Sequence, residues 1–218
     1  MLIFNYLKKN LIFCLNKTDL INDEKIKDDK YEYLQNLAQD ENLTVEATLI
    51  SAKTSDGIYN LKSKIRRFGV DLVKARLNKN KDEVNIGFFG QSLVGKTSLL
   101  NRIINDEYQE STILTLKVMK KECFISDLKS HEIKFNYYDI PGQNQIMEKY
   151  LDIMKKIEII IFVSDNENIN IAFDKLEGKI KLYERKMIFC INKEDLISDG
   201  KKAELIKTIK KLIKKKEL

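Results

Sequence analysis

Apolar residues in this chain gather in short blocks separated by polar turns. The runs LIFCL at 11–15, VNIGFF at 84–89, IIIFV at 159–163 and MIFCI at 187–191 have the length of strands, and they are largely apolar at every position, as buried parallel strands are. Other segments have helical period. Leu99, Leu100, Ile103 and Ile104 share one side of a segment starting near 96, an amphipathic stretch covers 58–78, and further helices are predicted over about 23–38, 168–185 and 201–218. Segments 116–125 and 132–140 flank the polar turn SDLKSH and predict a hairpin, and one more strand is predicted at 44–50. Strand alternating with helix after a single hairpin predicts an α/β fold: a mostly parallel, doubly wound sheet with helices on both faces and one antiparallel hairpin strand.

Two of the blocks are copies of each other. LIFCLNKTDLI at 11–21 returns as MIFCINKEDLI at 187–197, changed only at Leu11/Met187, Leu15/Ile191 and Thr18/Glu194. Each copy is a strand running into a polar turn Asn-Lys-x-Asp, and ligands of parallel sheets bind beyond the carboxyl ends of the strands. An ionised Asp accepts the N1–H and the 2-amino N–H of guanine together, adenine offers no such pair, and the Lys stem can lie over the ring. Asn16, Lys17 and Asp19, and equally Asn192, Lys193 and Asp195, are therefore candidate guanine readers.

The segment after strand 84–89 carries the phosphate chemistry. Gly90, Gln91, Ser92, Leu93, Val94, Gly95, Lys96, Thr97 and Ser98 fit G-x-x-x-x-G-K-[ST], with a strand before and a helix after, which makes a P-loop NTPase fold the expectation. Backbone N–H groups of such a loop curl around phosphate oxygens, aided by the positive end of the helix dipole. Lys96 is placed to reach the β- and γ-phosphates, and Thr97 to offer its hydroxyl to Mg²⁺. The hairpin then runs into DIPGQ, where Asp139 can hold Mg²⁺ through water, Gly142 can bring an N–H close to the γ-phosphate, and Gln143 can orient an attacking water. Gln143, Lys96 and Gly142 are the candidate catalytic groups.

Composition narrows the setting. The 218 residues suit one ordinary domain, or a domain and a piece of another, and 43% hydrophobic with 33% charged residues is globular. The net charge of +6 is spread along the chain, so it reads as a solvated surface and not as a nucleic-acid site. Cys14, Cys123 and Cys190 are too few and too scattered for a disulfide framework or a zinc site, and they fit a reducing, cytoplasmic compartment. No apolar run approaches a bilayer span, and the start does not read as a signal peptide. His131, in the hairpin turn, reads as solvated.

With these motifs together the chain resembles a small GTPase of the Ras and Rab type. GQSLVGKTSLL is similar to the Rab phosphate loop, DIPGQ to the family's D-x-x-G-Q, and NKTD and NKED to its N-K-x-D. EYQESTILTLKV resembles the first switch, which implies Thr112 as the Mg²⁺-binding switch threonine, with Thr115 as second candidate. TLISAKTSDGIYNL resembles the family's S-A-K strand, which implies that the backbone at Ser51, Ala52 and Lys53 donates to guanine O6. The resemblance implies GTP or GDP with Mg²⁺, slow hydrolysis, movement of loops 106–116 and 141–155, and protein effectors or regulators. Three residues depart from the pattern. Leu93 replaces a small residue and would slow turnover, Leu114 stands where Rab proteins carry Gly, and Pro141 replaces the commoner Ala. A non-hydrolysing nucleotide-binding scaffold is the alternative. A membrane surface would accept the basic last helix, but this family has such a helix in any case, and no lipidation cysteine follows it.

The order of motifs is unusual: N-K-x-D and S-A-K come before the phosphate loop. Residues 1–80 read as the C-terminal part of a G domain, and 81–218 as the N-terminal part of another. A fragment of a tandem array, a circularly permuted single domain, and pieces completed between molecules all fit this order. In the permuted form the strands at 11–15 and 187–191 are expected to compete for one slot. The loser would be left as an unpaired apolar strand open to self-association.

Overall fold

The computed structural model describes residues 11–15, 25, 28, 32, 45–76, 82–108, 114–126, 132–143, 146, 148–164 and 186–191. The expected helices over 23–38, 168–185 and 201–218, the turn containing His131, Thr112 and both Asn-Lys-x-Asp turns lie outside the described residues, wholly or in greater part.

Among the described residues seven strands form one sheet: β1 (Leu11–Leu15), β2 (Val45–Leu49), β3 (Glu83–Phe89), β4 (Met119–Ser126), β5 (Glu132–Asp139), β6 (Ile159–Ser164) and β7 (Lys186–Ile191). Their order is β2-β1-β7-β6-β3-β5-β4. Every pairing is parallel except β4 with β5, the predicted hairpin. The apolar blocks form the middle of this sheet, where β3 and β6 are buried almost throughout.

The expected contest between β1 and β7 does not occur. β7 pairs with β6, and β1 is added beyond it, with Leu11 against Met187, Phe13 against Phe189 and Cys14 against Cys190. A parallel strand offers two hydrogen-bonding edges, so a second strand of nearly the same sequence can extend the ladder in register, and Cys14 and Cys190 are both buried there. Both copies have neighbours on both sides, and among the described strands β2 and β4 stand at the ends of the order. The unpaired apolar strand expected from the sequence is therefore not formed.

Helices α1 (Ile58–Ala75) and α2 (Lys96–Asn105) cover one face. Ile58, Leu61, Ile65 and Phe68 of α1 and Leu99, Leu100 and Ile103 of α2 join Val84, Ile86 and Phe88, Phe135, and Ile159 and Ile161 in one buried cluster. A side chain at Gly69 would put its Cβ 2.3 Å from the Phe135 ring, so this glycine lets α1 lie directly on β5. On the other face, Ile157, just after the short helix α3 (Leu151–Lys156), packs over Gly87. Residue alternation along β3 puts Gly87 opposite Ile86 and Phe88.

Polar contacts tie segment 45–76 to the strands and helix C-terminal to it. Arg76 donates to the Glu83 carbonyl at 2.7 Å and pairs with Glu158, whose other carboxylate oxygen accepts the Asn85 N–H at 3.1 Å. Lys62 of α1 pairs with Asp106, just past α2, at 2.7 Å.

Candidate functional site

The phosphate-loop candidates line a pocket at the carboxyl end of β3. Ser92, Leu93, Gly95, Lys96, Thr97 and Ser98 meet Thr115 and Gly142 there. The loop takes its shape from backbone conformations that side chains resist: Gly90 has φ 135°, and a Cβ on it would lie 1.8 Å from the Val163 carbonyl oxygen. Leu93 also has positive φ, at 63°, and is 53% exposed at the rim. Gly95, at φ 91°, starts α2, whose first turn includes Lys96 and Thr97.

Lys96 is buried and folded back over its own loop, donating to the carbonyls of Gly90 at 3.1 Å and Gln91 at 2.6 Å. Burial pushes its ammonium down to about 8, and the Asp139 carboxylate pulls the other way. Asp139, at the end of β5, is fully buried, which raises its carboxyl above the ordinary range despite the Thr97 hydroxyl and the Lys96 charge. Its Oδ2 accepts from the Thr97 hydroxyl at 2.5 Å, and the Thr97 and Thr115 hydroxyls lie 3.1 Å apart. Among the described residues no donor reaches its buried Oδ1. A carboxylate oxygen without a proton partner beside two hydroxyls is an all-oxygen donor set, which fits a hard cation that keeps part of its water, as Mg²⁺ does.

Gly142 lies against the loop. A Cβ there would meet Gln91 C and Ser92 N at 2.4 Å each, so only a glycine lets the D-x-x-G turn pack on the phosphate-loop backbone. Pro141 before it is buried, and Gln143 after it is exposed. Of the two threonines expected as switch candidates, Thr115 is at the site, and Thr112 lies outside the described residues, as do Asn16, Lys17, Asp19, Asn192, Lys193 and Asp195.

Ser51, Ala52 and Lys53 follow β2 in a turn built from its own polar groups. Ser51 N–H donates to the Asp56 carbonyl at 2.9 Å, the Ser51 hydroxyl accepts from Thr54 N–H at 3.1 Å, and the Thr54 hydroxyl donates to Asp56 at 2.6 Å. The turn is also held from α2: Arg102 Nε donates to the Ala52 carbonyl at 2.6 Å, and Nη2 to the Lys53 carbonyl at 2.8 Å. The sequence motifs carry no sign of Arg102, because its partners are backbone carbonyls some fifty positions earlier.

The family model of the Gtr1/RagA G protein conserved region matches residues 86–217. GTPase Der of Clostridium tetani is 27% identical over 204 residues, covering 87% of this chain and 43% of that protein. tRNA modification GTPase MnmE of Mesoplasma florum is 27% identical over 134 residues, covering 56% of this chain and 28% of that protein. ADP-ribosylation factor-like protein 3 of Caenorhabditis elegans is 24% identical over 146 residues, covering 64% and 77%. The chain thus spans less than half the length of the first two of these relatives.

Proposed function

The chain belongs to the Gtr1/RagA family of G proteins, and on that premise we propose that it binds GTP and GDP with Mg²⁺, hydrolyses GTP slowly and moves its switch loops between the two states. The expectation drawn from its motifs holds at the level of a small P-loop GTPase. The observation that carries the reading is the convergence of Lys96, Thr97, Asp139, Thr115 and Gly142 at one pocket, where Asp139 Oδ1 is buried with no donor among the described residues.

In this reading the loop from Gly90 to Ser98 holds the phosphates through its N–H groups, and Lys96 exchanges its loop carbonyls for phosphate oxygens. Thr97 and Asp139 would hold Mg²⁺, which would supply positive charge to offset that of the phosphates. Thr115 would join them when the first switch closes, a role for which the family resemblance favours Thr112. Gln143, exposed beside the pocket, would turn a water towards the γ-phosphorus; the γ-phosphoryl group passes to that water, and GDP leaves. Asp195 and Asp19 stay candidates for guanine, and Ser51, Ala52 and Lys53 for its O6. The exposed Leu93 at the pocket rim favours a low turnover rate.

We read residues 1–80 and 81–218 as parts of two successive G domains that close on one another. The match to GTPase Der supports the order, because it takes in 87% of this chain and so covers residues on both sides of position 81. The shared core of α1 and α2 supports the closure. Binding of a fluorescent GTP analogue with and without Mg²⁺ tests the function: wild type should bind, and Lys96→Ala should lose about 100-fold or more in affinity. Equal binding by both would refute it. Single-turnover hydrolysis should slow about 10-fold or more in Gln143→Leu, and an unchanged rate would deny Gln143 its role.

A further inference from the structure

The contact between Arg102 and the S-A-K turn joins the phosphate end of the site to the turn that would meet the base. Arg102 lies on α2, the helix that starts at the phosphate loop, and two of its guanidinium nitrogens donate to successive carbonyls, Ala52 at 2.6 Å and Lys53 at 2.8 Å. A third nitrogen donates to the Asp106 carbonyl at the end of the same helix, which braces the side chain on its own element. The peptide linking Ala52 to Lys53 is planar and trans, so turning the Ala52 carbonyl towards Arg102 turns the Lys53 N–H to the opposite side. The next peptide is fixed at both ends, by Arg102 on the Lys53 carbonyl and by the Ser51 hydroxyl on the Thr54 N–H at 3.1 Å. The flat fork of an arginine can satisfy two neighbouring carbonyls at once, and a lysine ammonium has no such fixed pair of donors.

We propose that Arg102 is a positioning residue for recognition of a 6-oxopurine nucleotide: its grip on the Ala52 and Lys53 carbonyls sets the orientation of the backbone N–H that donates to the 6-oxygen of the base. The inference rests on the reading of the chain as a guanine-nucleotide binder. It goes beyond that reading by assigning base selectivity to a side chain on the phosphate-loop helix that touches neither base nor phosphate.

The test compares the full chain as wild type, Arg102→Met and Arg102→Lys, using GDP, the diphosphate of 2-aminopurine riboside, which lacks the 6-oxygen, and inorganic pyrophosphate. Wild type should prefer GDP over the analogue by about tenfold or more. Arg102→Met should reduce that ratio to about twofold or less while changing pyrophosphate affinity by no more than about twofold, and Arg102→Lys should fall between. A merely structural role would weaken all three ligands together and leave the ratio intact, which would overturn the proposal. Should Arg102→Met fail to fold, Arg102→Lys decides, and an unchanged ratio there overturns it. Wild type that binds no GDP would refute the guanine-nucleotide reading and this inference with it. A wild-type preference retained in both variants would refute the role of Arg102 alone.

Discussion

At the residue scale, the candidate site is built from groups that cost the empty protein stability. Lys96 titrates at about 8 in place, against 10.5 for the free group. Between those two values the unfolded chain holds a proton that the folded chain does not, so stability rises as pH climbs from about 8 towards 10.5 and is lost as pH falls back. Lys96→Met removes the buried charge. Without nucleotide it should raise stability at pH 7 by about 1–3 kcal/mol, a gain reduced by the bonds lost to the Gly90 and Gln91 carbonyls. Urea denaturation of both proteins at pH 7 and pH 10 checks this, and the wild-type deficit should shrink at the higher pH. Gly142→Ala acts by shape: its Cβ would strike Gln91 and Ser92, so the D-x-x-G turn must lift off the phosphate loop. GTP hydrolysis should fall more than GDP affinity, as parallel measurements of the two would show. These residues were legible in the sequence because their spacing is local and their chemistry needs particular side chains. Arg102 was not, since any residue 50 positions away can supply a carbonyl.

At the element scale, α1 decides how the site is backed. Leu61, Ile65 and Phe68 are buried, and the helix reaches β5 across Gly69. Gly69→Ala should cost about 1–3 kcal/mol through overpacking against Phe135, although alanine is the better helix former. Combining it with Phe135→Leu should cost less than the sum of the two single changes, and a double-mutant cycle by chemical denaturation reads the difference. The strands were read from apolar runs close to their observed ends: 44–50 against Val45–Leu49, and 132–140 against Glu132–Asp139. The relation of β1 to β7 could not be read, because two nearly identical apolar strands carry no information about whether they exclude or extend each other. Their in-register pairing resolves it.

At the scale of the whole molecule, the N-terminal segment is part of the core. Ile50, Ala52, Ile58, Leu61, Ile65 and Phe68 share one buried cluster with Val84, Ile86, Phe88 and Leu99. Residues 81–218 expressed alone should therefore lose cooperative unfolding and aggregate, and co-expression with residues 1–80 should restore a single transition; calorimetry and gel filtration test both. A sharp cooperative transition of 81–218 alone would contradict the shared core. What the sequence determined by itself was local: strand and helix from the period of apolar positions, and the candidate phosphate loop from Gly90 to Ser98 with the candidate acid and glycine of the D-x-x-G turn, because each pattern is one of fixed residue types at fixed short spacing. The tertiary structure alone decided three things: that both copies of the repeated strand enter one sheet, that Thr115 stands at Thr97 and Asp139, and that Arg102 holds the S-A-K turn. Each joins groups distant in sequence through backbone edges, hydroxyls or carbonyls that almost any chain can offer, so only the assembled sheet and helices select which of them meet.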